Sequence, residues 1–328
     1  MENKSLLVIE GLKKYFPTGR GLFIRAKGYV KAVDGVDIVV NKGETIGLVG
    51  ESGCGKTTLA NCILRLDEPT DGKIILDGHD ILAESRNSMK QLRRDIQIIF
   101  QDPYSSLNPR KTVSQTIGEA FIIHGLMTRS QRQERIAELM TSVGLLPESV
   151  DRYPHEFSGG QRQRICIARA LALNPKLVIA DEPVSALDVS IQAQILNLLV
   201  SLQKKFNLTY IFISHDLSVV RHISDRIAIM YLGRLVEVAP TKEFFNDPCH
   251  PYTESLLSAI PVPNPIKRRK RFIIPGDMPS SINPPSGCSF HPRCSFSQQI
   301  CIQQAPKLEE IETNHFVACH YSKERKVK

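Results

Sequence analysis

The sequence predicts an α/β fold with a buried parallel sheet, and three observations lead to this expectation. The glycine-rich residues 50–57 (GESGCGKT) stand between a short apolar run and a helical pattern. The apolar face of that predicted helix consists of Leu59, Cys62, Ile63 and Leu66. A second apolar run, residues 177–180, ends directly in two carboxylates, which is typical of a central strand buried on both faces. A third apolar run, residues 210–213, is followed directly by Ser214, His215 and Asp216.

Residues 50–57 fit the Gly-x-x-x-x-Gly-Lys-Thr pattern of a phosphate-binding loop. Glycines let successive backbone amides converge on phosphate oxygens, and the following helix N-terminus adds partial positive charge. Lys56 is expected to reach the β- and γ-phosphates, and the Thr57 hydroxyl to ligate Mg²⁺. The alternative is a glycine-rich turn that binds nothing. The predicted ATP-binding residues are Gly50, Glu51, Ser52, Gly53, Cys54, Gly55, Lys56, Thr57 and Thr58.

The two carboxylates that follow residues 177–180 are predicted to serve the metal and the attacking water. Ligands of open α/β sheets collect at the carboxyl ends of the strands, where Asp181 would hold Mg²⁺ through a water. Glu182, one residue further, is placed to orient or deprotonate the attacking water. His215 follows the next strand at the same edge and is expected to bond the γ-phosphate. The alternative for His215 is a packing role.

A second phosphate site is predicted where residues 157–161 (FSGGQ) open a helix. Ser158 and Gln161 have the spacing of a capping box, and the two glycines between them leave the first amides uncovered. A well-capped helix is one interpretation, but exposed amides at a helix N-terminus also bind anions. One chain would then carry two phosphate sites and a single complete cradle. We therefore expect a head-to-tail pair in which Ser158 closes over the nucleotide of the partner.

Together these motifs resemble the ATP-binding subunits of ABC transporters over residues 5 to about 240. The resemblance implies a P-loop NTPase fold with a RecA-like core, an N-terminal antiparallel β part and a helical subdomain at about 91–160. The matching elements are the Walker A cradle, the Q-loop at Gln101, the signature residues Ser158, Gly159, Gly160 and Gln161, the Walker B strand with Asp181 and Glu182, the D-loop at Asp188 and the switch histidine His215.

The same resemblance implies roles for individual residues. Gln101 would be a hinge that senses the γ-phosphate and would join Thr57 and Asp181 around Mg²⁺. Tyr15, in the sequence LKKYF, would stack on adenine, with Phe16 as the neighbouring alternative. The signature residues and Asp188 would act in trans, on the nucleotide of the partner subunit.

Composition and charge limit the other classes of function. No apolar stretch approaches the roughly 20 residues needed to span a bilayer, and no N-terminal signal is visible. The net charge is +8, and the basic run at residues 267–271 favours a solvated linker over a nucleic-acid site. We therefore expect no nucleic-acid partner. The predicted domains are residues 1–240 for the ATPase and 241–328 for a small C-terminal extension.

Four cysteines in the last part of the chain indicate a metal site. Disulfides are disfavoured in the cytosol, and four thiolates suit either a tetrahedral zinc or an iron–sulfur cube. Zinc ribbons usually contain paired C-x2-C knuckles, which are missing here, and cysteines that only pack are a third alternative. The candidate ligands are Cys288, Cys294, Cys301 and Cys319.

The extension resembles that of oligopeptide/dipeptide importer ATPases, in the strings HPYT, GCSFHPRC and HFVACH. This resemblance implies a [4Fe–4S] cluster on the four cysteines, with zinc as the alternative. The strings QDPYSSLNPR (residues 101–110) and GLVGESGCGKTT (residues 47–58) resemble the second of the two ATPase subunit types of these importers. The resemblance also implies a heterodimer with a homologous ATPase, two permease subunits, an extracytoplasmic substrate-binding protein and a peripheral location on the cytoplasmic face of the inner membrane. The expected cargo is peptide, with nickel or glutathione as alternatives. A soluble ABC ATPase outside transport is the alternative of another class.

Overall fold

The computed structural model describes residues 5–18, 28–260, 274 and 276–322. The strands are β1 (Ser5–Thr18), β2 (Gly28–Asn41), β3 (Thr45–Val49), β4 (Asp71–Leu76), β5 (His79–Asp80), β6 (Ile96–Ile99), β7 (Leu177–Asp181), β8 (Thr209–Ile213), β9 (Arg226–Tyr231), β10 (Arg234–Pro240), β11 (Glu309–Glu312) and β12 (His315–Val317). The helices are α1 (Lys56–Ile63), α2 (Arg86–Asp95), α3 (Pro103–Ser106), α4 (Val113–Ile123), α5 (Arg129–Ser142), α6 (Gly159–Leu171), α7 (Val189–Phe206), α8 (Leu217–Ile223), α9 (Thr241–Asn246), α10 (Pro251–Ser258) and α11 (Gln299–Gln303). The basic run at residues 267–271 lies outside the described residues.

The chain divides into two compact units. Among the described residues, the cradle unit consists of those within Leu7–Val39, Ile46–Leu82 and Ser214–Lys328, and the helical unit consists of those within Met1–Leu6, Val40–Thr45 and Ala83–Ile213. The C-terminal residues thus share a unit with the phosphate loop. The boundary expected near residue 240 remains a prediction.

Two groups of paired strands build the cradle unit. Strands β2, β1, β4 and β5 lie side by side in that order, and β1 pairs antiparallel with β4. In the other group the order is β11, β12, β10, β9 and β3. Strand β3 runs parallel to β9, and all five β3 residues are buried. The phosphate loop leaves the end of this buried strand, so its first residue starts from a rigid position.

The helical unit contains three parallel strands and most of the longer helices. Strand β7 pairs in parallel with β6 on one side and with β8 on the other. Every residue of β7 and β8 is buried, as the apolar runs predict. Helix α5 buries Ile136, Leu139 and Met140.

The helix after the phosphate loop is shorter than the apolar pattern predicts. It ends at Ile63, and Leu66 lies beyond it with 59% of its surface exposed. Arg65 adopts a left-handed conformation with φ 52°. The amides of Arg65 and Leu66 donate to the carbonyls of Cys62 and Asn61, which is the Schellman arrangement that ends a helix. Placing Leu66 on the buried helical face was therefore wrong.

Candidate functional site

The phosphate loop is held in a conformation that requires glycine at two positions. A Cβ atom on Gly50 would lie 2.2 Å from the carbonyl oxygen of Met230. A Cβ atom on Gly55 would lie 2.0 Å from the carbonyl oxygen of Ala32, and Gly55 has φ 113°. The backbone of the neighbouring strands β9 and β2 thus lies too close to the loop to leave room for a side chain. Glycine is therefore required at these two positions by packing as well as by phosphate binding.

Lys56, the first residue of α1, folds its side chain back into the loop. Its ammonium group donates to the carbonyl oxygens of Gly50 at 2.8 Å and Glu51 at 3.0 Å. Only 6% of Lys56 is exposed, whereas Ser52, Gly53 and Thr57 are exposed. Burial raises the pKa of the Cys54 thiol, so this cysteine is a protonated packing group. The loop therefore encloses one cation and offers its exposed residues to a ligand.

Glu51 makes contacts that the sequence pattern did not indicate. Its amide donates to the Tyr252 hydroxyl at 3.0 Å, and its carboxylate accepts from the Arg293 guanidinium at 3.1 Å. Tyr252 lies in the string HPYT and Arg293 in GCSFHPRC. Both strings resemble the C-terminal extension of oligopeptide/dipeptide importer ATPases, but no local pattern in the sequence links either string to the phosphate loop.

Tyr15, the predicted adenine-stacking residue, lies on β1 and is partly buried. Its hydroxyl donates to the Asp34 carboxylate, which also accepts from Arg234 at 2.7 Å. Burial, together with the hydrogen bond to Asp34, raises the pKa of Tyr15 to about 12. The Lys31 ammonium lies 5.6 Å from the centre of the Tyr15 ring. Tyr15 is thus held by its hydroxyl in a fixed position.

Strand register brings the predicted hinge and the predicted catalytic carboxylate together. Ile99 of β6 stands opposite Ala180 of β7, so the residues two positions beyond each are neighbours. Gln101 accordingly donates from its side-chain amide to the Glu182 carboxylate at 3.1 Å. Neither residue belongs to a regular element, and the parallel pairing of the preceding strands is what positions them.

The backbone at Glu182 is strained. Glu182 has φ 47°, in the left-handed region that residues other than glycine rarely adopt. Its amide donates to the carbonyl oxygen of Ile213 at 3.0 Å, which fixes this conformation. Strained residues of this kind cost about 1–3 kcal/mol and cluster at functional sites. Asp181, the preceding residue, is 9% exposed at the end of β7.

The second predicted phosphate site is an exposed and fully capped helix start. The Ser158 side chain accepts from the Gln161 amide, and the Gln161 side chain accepts from the Ser158 amide, which completes the predicted capping box. Ser158, Gly159 and Gln161 are all exposed. A Cβ atom on Gly160 would lie 2.6 Å from Ile191 of α7, so this glycine lets two helices approach.

Two further residues of the predicted ATP site, Asp188 and His215, are exposed next to the first residues of helices α7 and α8. Asp188 is the N-cap residue of α7 in the helical unit and makes no side-chain capping bond there. His215 is exposed in the turn before α8 and belongs to the cradle unit. The cradle and Lys56 also belong to the cradle unit, whereas Gln101, Asp181, Glu182 and Ser158 belong to the helical unit.

The four C-terminal cysteines line one small cavity. The other residues around it include His250, Phe290 and His320. The Cys288 amide donates to the Cys301 carbonyl at 2.8 Å. Burial, with a smaller contribution from the charges of the other three cysteines, raises the pKa of Cys288 to about 11. Cys288 is therefore a neutral thiol at neutral pH when no cation is bound beside it.

A different trio forms the tightest group of metal-binding side chains among the described residues. The ligand atoms of Glu237, Cys249 and His315 lie within 4.8 Å of one another, and the four cysteines do not form such a group. The Glu237 carboxylate accepts from the Cys249 and His250 amides at 2.9 Å and is 2.8 Å from the His315 ring nitrogen. Protein groups thus already surround this carboxylate, so it ties β10, β12 and the start of α10 together.

Comparison with known proteins agrees with this arrangement. Residues 33–185 match the family model described as ABC transporter, and residues 236–301 match the model of the oligopeptide/dipeptide transporter C-terminal region. The oligopeptide transport ATP-binding protein AppF of Bacillus subtilis is 54% identical over 320 residues, which cover 97% of each chain. The dipeptide transport ATP-binding protein DppF of Haemophilus influenzae is 49% identical and covers 98% of each chain.

Solved structures of ATP-binding cassettes share the fold. The dimeric cassette MJ0796 bound to ADP and Pi has a TM-score of 0.64 and 29% identity, and the match covers 72% of this chain and 99% of that one. The protein cbiO1 of Clostridium perfringens, part of an ABC transporter complex, has a TM-score of 0.64 and 28% identity, and the match covers 75% of this chain and 92% of that one.

The phosphate loop and the parallel strands with their terminal carboxylates define a P-loop ATPase of the ABC class, as the sequence predicts. The chain belongs to the family of ABC transporter ATP-binding proteins that carry the oligopeptide/dipeptide transporter C-terminal region. It is thus a transport ATPase, and such subunits work with membrane permeases. No described helix combines the length and the apolar character that crossing a bilayer requires.

Proposed function

We propose that this chain hydrolyses ATP to drive the uptake of di- and oligopeptides, with Glu182 as the catalytic carboxylate. The observation that carries the catalytic assignment is the hydrogen bond between Gln101 and Glu182 beyond the ends of β6 and β7. Lys56 and the loop amides would bind the β- and γ-phosphates, and Thr57, Gln101 and Asp181 would hold Mg²⁺. His215 would bond the γ-phosphate.

The test of the catalytic assignment is Glu182→Gln. This change keeps the size and the hydrogen-bonding capacity of the side chain and removes its basicity. ATP binding should remain, while turnover falls by on the order of 10² or more, the scale of losing a general base. Hydrolysis at the wild-type rate would remove Glu182 from the mechanism.

A head-to-tail pair of ATPase subunits is part of the proposal. Ser158, Gly159, Gly160, Gln161 and Asp188 would act on the nucleotide of the partner. The exposure of Ser158 and Gln161 at the start of α6 leaves that helix end accessible to a second chain. The structure of the ATP-binding cassette MJ0796 is dimeric, which supports pairing. That the partner is a homologous but different ATPase rests on the subfamily resemblance.

The permease would dock near residues 104–109. Tyr104 is 69% exposed on α3, and the Arg162 guanidinium of α6 lies 5.4 Å from the centre of its ring. Arg169, also of α6, donates to the Ser106 carbonyl at 2.5 Å. Because α6 begins at the signature residues, a permease helix bound at Tyr104 would move together with Ser158. This linkage would couple ATP closure to the opening of the transport pathway, with the chain held on the cytoplasmic face of the membrane.

The four cysteines would hold a [4Fe–4S] cluster. All four cysteines line one cavity, so a single bound group there could be held by all of them. The sequence has no paired C-x2-C knuckles, which are usual in zinc ribbons, and this favours the cluster over zinc. Its role would be structural, because this segment has little core of its own.

Peptide cargo is proposed because AppF and DppF are named for oligopeptide and dipeptide transport. Deleting the gene should abolish growth on a peptide that supplies a required amino acid. If peptide uptake stays intact while nickel or glutathione uptake is lost, the cargo assignment is wrong. The assignment as a transport ATPase would still stand. Co-purification of two permeases and a substrate-binding protein would separate this function from a soluble ABC ATPase.

A further inference from the structure

Two side chains from the C-terminal part of the chain hold Glu51 of the phosphate loop. Tyr252, 201 residues further along, accepts a hydrogen bond from the Glu51 amide at 3.0 Å. Arg293, 242 residues further along, donates to the two oxygens of the Glu51 carboxylate at 3.1 and 3.2 Å. Tyr252 is fully buried and Arg293 is 8% exposed. We call Tyr252 and Arg293 the Glu51 clamp.

The residue that the clamp holds also holds the lysine of the loop. The carbonyl oxygen of Glu51 accepts from the Lys56 ammonium at 3.0 Å, next to the bond from Lys56 to Gly50 at 2.8 Å. Glu51 is therefore bonded through its amide, its carboxylate and its carbonyl. Movement of this one residue would displace the cation that is predicted to meet the phosphates.

The clamp itself has rigid support. The centre of the Tyr252 ring lies 4.8 Å from the centre of the Tyr231 ring and 5.5 Å from the centre of the Phe290 ring. Arg293 ends the 3-10 turn His291–Arg293, which lies between the first two cysteines of the C-terminal group. Its amide donates to the Phe290 carbonyl at 3.0 Å. Charge-assisted hydrogen bonds of this kind are stronger than neutral ones, and here both partners have little freedom to move.

We propose that Tyr252 and Arg293 are positioning residues for ATP binding, through Glu51. They act in two ways. The clamp keeps the loop in its binding conformation before the nucleotide arrives, which lowers the cost of ordering it. Arg293 also neutralises the Glu51 carboxylate, which would otherwise place a negative charge in the loop that receives the triphosphate. This proposal rests on the assignment of ATP to the cradle.

The test compares single-atom and charge changes in the full-length chain. Tyr252→Phe removes only the hydroxyl that accepts from Glu51, and Arg293→Met removes the guanidinium. Each should raise the Kd for ATP by about 3- to 10-fold, the range expected for one lost hydrogen bond. The matched control is Tyr210→Phe, because the Tyr210 hydroxyl is buried without a hydrogen-bond partner among the described residues. A fluorescent ATP analogue in equilibrium titrations gives Kd, and the thermal midpoint without nucleotide is measured beside it.

A rescue variant separates positioning from general stability. Adding Glu51→Gln to Arg293→Met removes the unpaired carboxylate, so ATP affinity should recover in part relative to Arg293→Met alone. A merely structural role for Arg293 would give no such recovery. Should Arg293→Met fail to fold, Arg293→Gln also removes the positive charge while keeping a polar side chain, and serves in the same comparison.

The outcomes are distinct. A Kd raised in Tyr252→Phe and Arg293→Met but not in Tyr210→Phe, with recovery by Glu51→Gln, supports the clamp. Variants that bind ATP as tightly as Tyr210→Phe, or a double variant with no recovery, overturn it while leaving the ATPase assignment intact. A wild-type chain that binds no ATP would instead overturn the assignment of ATP to the cradle.

Discussion

Replacing Gly55 by alanine should disable the phosphate loop through a clash that the sequence motif alone does not reveal. The added Cβ would lie 2.0 Å from the Ala32 carbonyl oxygen, at a residue with φ 113°. Relieving such an overlap costs about 1–3 kcal/mol, and the backbone strain costs a further 1–3 kcal/mol or so. The combined cost of about 2–6 kcal/mol is a large part of the roughly 5–15 kcal/mol that stabilises a folded domain.

Gly53→Ala is the matched control for this prediction. Gly53 has φ 78°, but a Cβ there would meet nothing within 4 Å, so only the backbone strain remains. Urea unfolding should therefore show a loss of about 1–2 kcal/mol for Gly53→Ala and a clearly greater loss for Gly55→Ala. The chain has no tryptophan, so circular dichroism or tyrosine emission reports unfolding. Equal losses in the two variants would refute the argument from the Ala32 contact.

Two further predictions concern the second phosphate site and the cysteines. Gly160→Ala should destabilise the packing of α6 on α7 by about 1–3 kcal/mol, because its Cβ would lie 2.6 Å from Ile191. Gly159→Ala, whose Cβ would lie 3.7 Å from Leu187, should leave unfolding nearly unchanged, and similar losses for both would contradict this account. In metal-free protein at pH 8, Cys288 should react with iodoacetamide more slowly than a free thiol, because a pKa of about 11 leaves little thiolate. Peptide mapping by mass spectrometry measures this rate, and reaction at the rate of a free thiol would show that the site does not raise the pKa.

Local patterns in the sequence determined the parts of this protein that depend on neighbours along the chain. The glycines and lysine of residues 50–57, the buried strands β7 and β8 and the capping box at Ser158 are all where the residue patterns predict. Each depends on properties that act within a few residues, such as backbone freedom, apolar runs and side-chain capping. The helix end at Ile63 was missed although it is local, because Arg65 adopts the left-handed conformation that usually signals glycine.

Contacts between distant residues were decided only by the tertiary structure. The bond from Gln101 to Glu182 depends on the register of β6 against β7, because a shift of one residue would separate the two side chains. The bonds from Glu51 to Tyr252 and Arg293 join residues more than 200 positions apart. No periodicity or spacing encodes such a pairing, since it follows from how strands and loops pack after they have formed.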